Sequence, residues 1–295
     1  MSDYVLSCCT TIDTAREWAD ERGIAVVPFH YEVGGQSYED DFWQAMRPED
    51  MYARMLRGED AKTSQVSVGE YTEHFKKYLE EGKDVLHLTL SSGISGTVNS
   101  AMIAAEELKD KYPDNRVIVR DSRAASSGFG LLMQRLYELQ TQGKTIDELS
   151  DYVKEHRLEV NHWFFTSDLT FFIKGGRVTK TAGFFGTLLN ICPLLNVDFK
   201  GRLIPREKIR TKKKVIQRSV EKMEEMALGG SAYADHCYIS HSACLQDAQA
   251  LRDLVEDKFP KLKGKVEIFP IGPTIGCHTG PGCVALFFWG QTRID

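Results

Sequence analysis

Near its C-terminus the chain reads Gly276-Cys277-His278-Thr279-Gly280-Pro281-Gly282, a lone imidazole in a glycine- and proline-rich stretch. Far upstream lie two hydroxyl-rich turns, Thr63-Ser64-Gln65-Val66-Ser67 and Ser91-Ser92-Gly93-Ile94-Ser95-Gly96-Thr97. Small neutral donors with glycine backbone suit holding a carboxylate or phosphate. They lack the supporting groups that activate a nucleophile. Their chemistry is that of an anion pocket.

The flanking segments decide which hydroxyls are available. Val85–Leu90 reads as a strand running into the Ser/Gly turn, with a helix after it. In an open parallel sheet, ligands gather beyond the carboxyl ends of the strands, beside helix N-termini whose free N–H groups favour an anion. Capping or turn duty is the simpler reading for Ser91, Ser92 and Thr97. Ser95 stays divided between cap and ligand donor. Ser67 and Glu70 have the spacing of a capping box, which leaves Thr63 and Ser64 outside it and able to face a ligand. Asp121, after another strand, reads as holding the neighbouring turn through its side-chain acceptors.

Enzymatic alternatives are weaker. Gly93-Ile94-Ser95-Gly96-Thr97 misses the second glycine of a G-x-S-x-G elbow, and branched Thr97 fits that strained turn poorly. A stand-alone acyl hydrolase or phosphotransferase using Ser95 is therefore the secondary reading, and no catalytic residue is assigned. No G-x-x-x-x-G-K-[ST] loop occurs. Gly280-Pro281-Gly282-Cys283-Val284-Ala285 mimics a dinucleotide fingerprint only where no βαβ unit can follow. His236-Cys237, His241 with Cys244, and Cys277 with Cys283 match no zinc spacing, so no metal is expected. In the basic run Lys208–Lys214, Lys212–Lys214 suit the solvated start of a helix. Arg210, just before it, is open between solvent and an inward phosphate fork.

Composition bounds the rest. The 295 residues, 42% hydrophobic and 27% charged, are ordinary for a globular protein with a full core. A net charge of −5 with interspersed signs argues against a nucleic-acid surface. Seven cysteines, two of them the neighbours Cys8-Cys9, fit free thiols in a reducing cytosol. No window reaches the ~18 uninterrupted apolar residues of a membrane span. Phe184–Val197 comes nearest, broken by Asn190, Pro193 and Asn196. The expectation is a soluble cytoplasmic protein without integral membrane association.

Strand and helix patterns alternate through the first half: strands at Tyr4–Ser7, Ala25–Pro28, Asp84–Leu90 and Val117–Arg120, with helices at Thr14–Arg22, Arg47–Leu56, Val68–Glu81, Gly96–Tyr112, Ser126–Gln142 and Ile146–Arg157. This order predicts a parallel sheet with helices on both faces. Phe29–Ser37 extends toward a Gly34-Gly35 hairpin turn. Beyond Asn161 the pattern changes, with strands at Trp163–Phe165, His236–His241, Val266–Ile271 and Val284–Trp289 and a hairpin turning at Lys200-Gly201. Helices at Leu169–Lys174, Lys212–Ala227 and Leu245–Lys258 separate them. The prediction is α/β, two domains: residues 1–160 around a parallel sheet and residues 161–295 around a mixed sheet.

Taken together, Thr63-Ser64-Gln65, the Ser91–Thr97 turn, Asp121-Ser122, Gly175-Gly176-Arg177-Val178, Lys208-Ile209-Arg210 and the His278–Gly282 stretch resemble the DegV family of bacterial fatty-acid-binding proteins, over nearly the whole chain. The resemblance implies one unit of two α/β domains with a long-chain fatty acid, of palmitate or oleate type, buried between or within them, and no other cofactor. It implies that Thr63 and Ser95 hold the carboxylate, with His278 and Arg210 near the head group and Ser64 and Ser92 in its vicinity. It also implies, as a possible partner, an ATP-dependent fatty-acid kinase subunit to which the lipid is presented for phosphorylation and phospholipid synthesis. Two positions depart from the family pattern. Ser7-Cys8-Cys9-Thr10-Thr11-Ile12-Asp13 replaces a T-D-S-T-x-D-like turn, and Val66 stands where proline is usual.

Overall fold

The computed structural model describes residues 4–179 and 191–295. From the N-terminus, β1 (Tyr4–Cys9) passes through a 3₁₀ turn at Thr10–Ile12 to α1 (Arg16–Glu21) and β2 (Ala25–Val27). A small antiparallel unit follows: β3 (His30–Val33), β4 (Gln36–Glu39), α2 (Pro48–Leu56) and β5 (Ala61–Ser64). The alternating pattern resumes with α3 (Val68–Glu80), β6 (Asp84–Thr89), α4 (Thr97–Lys109), β7 (Val117–Asp121), α5 (Ser126–Thr141) and α6 (Ile146–His156). The second half holds β8 (Val160–Phe165), α7 (Thr170–Lys174), β9 (Ile191–Val197), β10 (Leu203–Arg210), α8 (Lys212–Met226) and β11 (Cys237–His241). It closes with α9 (Leu245–Lys258), β12 (Glu267–Pro270), α10 (Pro273–Thr279) and β13 (Val284–Trp289).

The architecture is two α/β domains. One sheet is wholly parallel, ordered β2-β1-β6-β7, and the other is six-stranded and mixed, ordered β10-β9-β8-β13-β11-β12. Strands β1 and β6 are buried on both faces along nearly their whole length, as a sheet covered on both sides requires. Helix α5 packs against β8, β11 and β13, so a helix of the first half forms part of the cover of the second sheet. The larger apolar cluster runs through both domains.

The antiparallel unit forms its own three-stranded sheet, β4-β3-β5, which the sequence reading did not foresee as a sheet. The Gly34-Gly35 turn joins β3 to β4 as predicted, with φ of 59° and 78° that glycine tolerates freely. Ala61-Lys62-Thr63-Ser64 has no apolar alternation and by itself reads as a turn. Its ladder with β3 makes it a strand, Thr63 lying opposite Tyr31. Tyr31, Val33, Met51, Tyr52, Met55 and Cys277 form the separate apolar cluster beneath this sheet, seating it on α10.

Helix α10 is the second departure: the stretch before Gly280 is a helix rather than a loop. Pro273 occupies its first turn, where a missing N–H costs nothing, and Gly280 ends it at φ 64°. The predicted hairpin at Lys200-Gly201 is present, but its strands are longer than foreseen, β10 running on through Arg210. Of the apolar run 184–197, residues 184–190 lie outside the described residues, and residues 191–197 form β9. No described helix is long and apolar enough to cross a membrane. All seven cysteines are free.

Candidate functional site

A cavity of about 380 Å³ lies where the Ser91–Gly96 turn, the end of β5, α7 and α10 meet the mixed sheet. That size falls within the ~300–1,000 Å³ of small-molecule pockets. Most of its wall is apolar: Phe29 and Leu90 from the first half, Phe164, Phe172, Val197 and Phe287 from the second. Its polar residues include Thr63, Ser64, Gln65, Ser95, Arg177 and His278. An apolar chamber with a few convergent polar groups can take a long hydrocarbon and fix one polar end.

Each polar residue is placed by its own element. Thr63 and Ser64 end β5, held in register by β3. The Ser67–Glu70 capping box then starts α3, as its spacing predicted, leaving Thr63 and Ser64 outside it. Ser95 sits in the turn before α4, its backbone N–H donating to Ser91 O at 3.1 Å and its Oγ accepting from Thr97 N at 3.2 Å. His278 lies in the last turn of α10, with Nε2 2.7 Å from Thr63 Oγ1. The two segments that the sequence offered as halves of one anion pocket therefore meet directly.

Burial, reinforced by the nearby Arg177 cation, pushes the His278 pKa down to about 4, so the ring is neutral near pH 7. A neutral imidazole that donates from Nε2 to Thr63 Oγ1 leaves the threonine hydroxyl hydrogen free to donate onward. Gly175 abuts the opposite nitrogen: a Cβ there would collide with Nδ1. The glycine pair before Arg177 thus has a steric cause at its first member.

Arg177, of the Gly175-Gly176-Arg177-Val178 stretch, also lines the cavity, and the sequence alone assigns it no role. It is the one fully charged side chain among the described lining residues. Its guanidinium donates to Ile94 O at 3.2 Å and Gly175 O at 2.6 Å, and no carboxylate pairs with it among the described residues. Burial lowers its pKa from the ordinary arginine value without discharging it near neutrality. A cation whose described partners are carbonyls at a cavity wall is complementary to an anionic head group. Its sequence signal was an arginine directly after a Gly-Gly stop.

Two expected residues are not in the cavity wall. Ser92 is exposed and belongs to the turn: its Oγ donates to Asp121 Oδ2 at 2.6 Å and its N–H to Asp121 Oδ1 at 3.1 Å. Asp121 holds that turn as anticipated. Arg210 is exposed at the end of β10, where its backbone pairs with Ile191 in the ladder to β9. The unusual Cys8-Cys9 turn keeps a buried hydrogen-bonded form, with Cys9 Sγ 3.2 Å from Thr11 Oγ1 and Asp13 accepting from Ser126 Oγ at 2.5 Å. Val66 is fully buried.

The family model described as "Uncharacterised protein, DegV family" matches residues 10–291. The chain belongs to the DegV family. A DegV domain-containing protein of Clostridium perfringens is 32% identical over 293 residues, covering 99% of both chains. Among solved structures, a DegV lipid-binding protein from Thermotoga maritima is 30% identical with a TM-score of 0.82, over 99% of this chain and 100% of that one. A DegV family protein from Thermus thermophilus, described by its fatty-acid binding, is 27% identical with a TM-score of 0.86, over 98% and 99%. No cluster of three or more histidine, cysteine or acidic side chains able to hold a metal occurs among the described residues.

Proposed function

We propose that this DegV protein is a cytoplasmic carrier of one long-chain fatty acid, with the acyl tail in the apolar cavity between domains spanning residues 1–160 and 161–295. Thr63 and Ser95 donate to the carboxylate, His278 orients Thr63, and Arg177 supplies the opposing charge. The observation that carries this is the 2.7 Å contact between Thr63 and a neutral His278 in the wall of a mainly apolar chamber. The relatives described as lipid- and fatty-acid-binding share the fold over essentially their whole length, which supports the same ligand class here.

The tail supplies most of the affinity. About 15 buried methylenes at ~0.8 kcal/mol each give on the order of 12 kcal/mol of gross burial, from which ordering and association costs subtract a large share. The hydroxyls fix the head. A hydrolase using Ser95 is disfavoured because the nearby histidine is engaged with Thr63 and Ser95 Oγ accepts from a backbone N–H. Presentation to a fatty-acid kinase is the downstream step that the family resemblance implies, and exposed Arg210 suits contact with such a partner better than contact with the lipid.

Titration with oleate and palmitate, alongside incubation with acyl esters and with ATP plus fatty acid, tests this. Saturable binding without turnover by the isolated chain is expected. Ester hydrolysis or acyl-phosphate formation by this chain alone would reverse the assignment.

A further inference from the structure

Arg293 lies two residues from the C-terminus, yet its side chain is 4% exposed. Every one of its guanidinium donors is taken by a backbone carbonyl. Nε donates to Leu158 O at 3.4 Å, Nη1 to Val197 O at 3.3 Å and Asp198 O at 2.9 Å, and Nη2 to Arg123 O at 2.9 Å and Arg157 O at 3.1 Å. No carboxylate pairs with it among the described residues. A buried cation costs several kcal/mol in desolvation unless its donors are satisfied. Here the loops it gathers are those that bound the ligand site. Arg123 belongs to the turn between β7 and α5, and Val197 and Asp198 lead into the hairpin between β9 and β10.

From these loops the connection to the head-group turn is short. Ala124 O, one residue on from Arg123, accepts from Ser91 N at 3.0 Å. Ser91 Oγ donates to Gly201 O at 2.8 Å, and Arg123 Nη1 donates to Lys200 O at 2.6 Å, tying the turn to the hairpin. The hairpin and the Ser91–Gly96 turn touch so closely that a Cβ on Gly93 would collide with Gly201 backbone. Ser91 O in turn accepts the N–H groups of Ile94 and Ser95. We infer that Arg293 is a positioning residue for the ligand site: by clasping the 123–124 turn to the 197–201 hairpin it fixes the Ser91–Ser95 turn, and so sets Ser95 opposite Thr63 for an anionic head group. This rests on the proposed carboxylate role of Ser95. The burial that lowers the Arg293 pKa to about 10 leaves it charged near neutrality, so the clasp persists across the physiological range.

The experiment compares a fatty acid with the fatty alcohol of the same chain length, measured by displacement titration at a temperature where every variant is folded. Arg293→Met is expected to weaken acid binding at least tenfold while changing alcohol binding by less than about threefold. Arg293→Lys, which keeps the charge and part of the carbonyl bonding, is expected to fold and to show the same preference at smaller size. In a Ser95→Ala background, Arg293→Met should cost little more, because the two act through one donor. Equal loss for acid and alcohol in both Arg293 variants, or a fully additive effect with Ser95→Ala, overturns the positioning role while leaving the site intact. Unchanged acid binding in Ser95→Ala alone overturns the carboxylate assignment itself, and the positioning role with it.

Discussion

Replacing Thr63 by valine removes one oxygen and keeps the volume and β-branching that suit strand β5. In the structure that oxygen has two faces, His278 Nε2 at 2.7 Å on one side and the cavity on the other. Losing the donor to a desolvated carboxylate costs ~1.5–3 kcal/mol, the range for hydrogen bonds to charged groups. At ~1.4 kcal/mol per decade, fatty-acid affinity should fall about ten- to a hundredfold. A second effect is confined to the protein: with its Nδ1 already unpartnered among the described atoms, His278 would lose Nε2 as well. An orphaned buried polar atom costs ~1–3 kcal/mol, so Thr63→Val should also lower the unfolding free energy in urea melts. Thr63→Ser separates the chemistry from packing, since it restores the hydroxyl while removing a methyl. It should recover most of the affinity in a fluorescent fatty-acid displacement assay. Full affinity in the valine variant, or an equally poor serine variant, would show that this hydroxyl does not hold the head group.

Further outcomes follow from the same geometry. Gly175→Ala places a methyl against His278 Nδ1 and should weaken acid binding at least tenfold by tilting the ring off Thr63, read by the same displacement assay. Ala285→Phe adds bulk to the cavity wall, so binding should shift toward shorter acyl chains, and an unchanged chain-length profile would place the tail elsewhere. His278 has a depressed folded-state pKa of about 4 against an ordinary value of 6.5, so the unfolded chain binds the extra proton between those values and stability falls as pH drops through that window. His278→Gln should therefore lose about 1 kcal/mol less than the wild type between pH 6 and pH 5 in urea melts, while an identical pH dependence would mean that the ring is not held neutral.

Much of the parallel half was legible because its signals were local. The strand-then-helix order, the glycine stops and the Ser67–Glu70 box each depend on neighbouring residues, and the structure places them as read. What was missed depends on distant partners. Ala61-Lys62-Thr63-Ser64 becomes a strand only because β3 supplies a ladder, and Pro273–Thr279 becomes a helix with one face against Tyr52 and Met51. The site divides in the same way. Thr63, Ser64, Ser95 and His278 reach one cavity because each sits at the end of an element that the fold aims inward. Ser92 stands outside the cavity wall, bonded to Asp121, and Arg210 stands outside it on the last rung of β10, neither of which composition reveals. Arg177 and Arg293 were silent for a further reason: their partners are backbone carbonyls, which leave no mark in the sequence of the partner.

Native mass spectrometry of the purified chain, with extraction and identification of any bound lipid, bears most directly on the fatty-acid assignment. One long-chain fatty acid per chain is expected, displaced by added oleate or palmitate and held less tightly when Thr63 is valine. A lipid-free protein that also fails to take up added oleate or palmitate would contradict it.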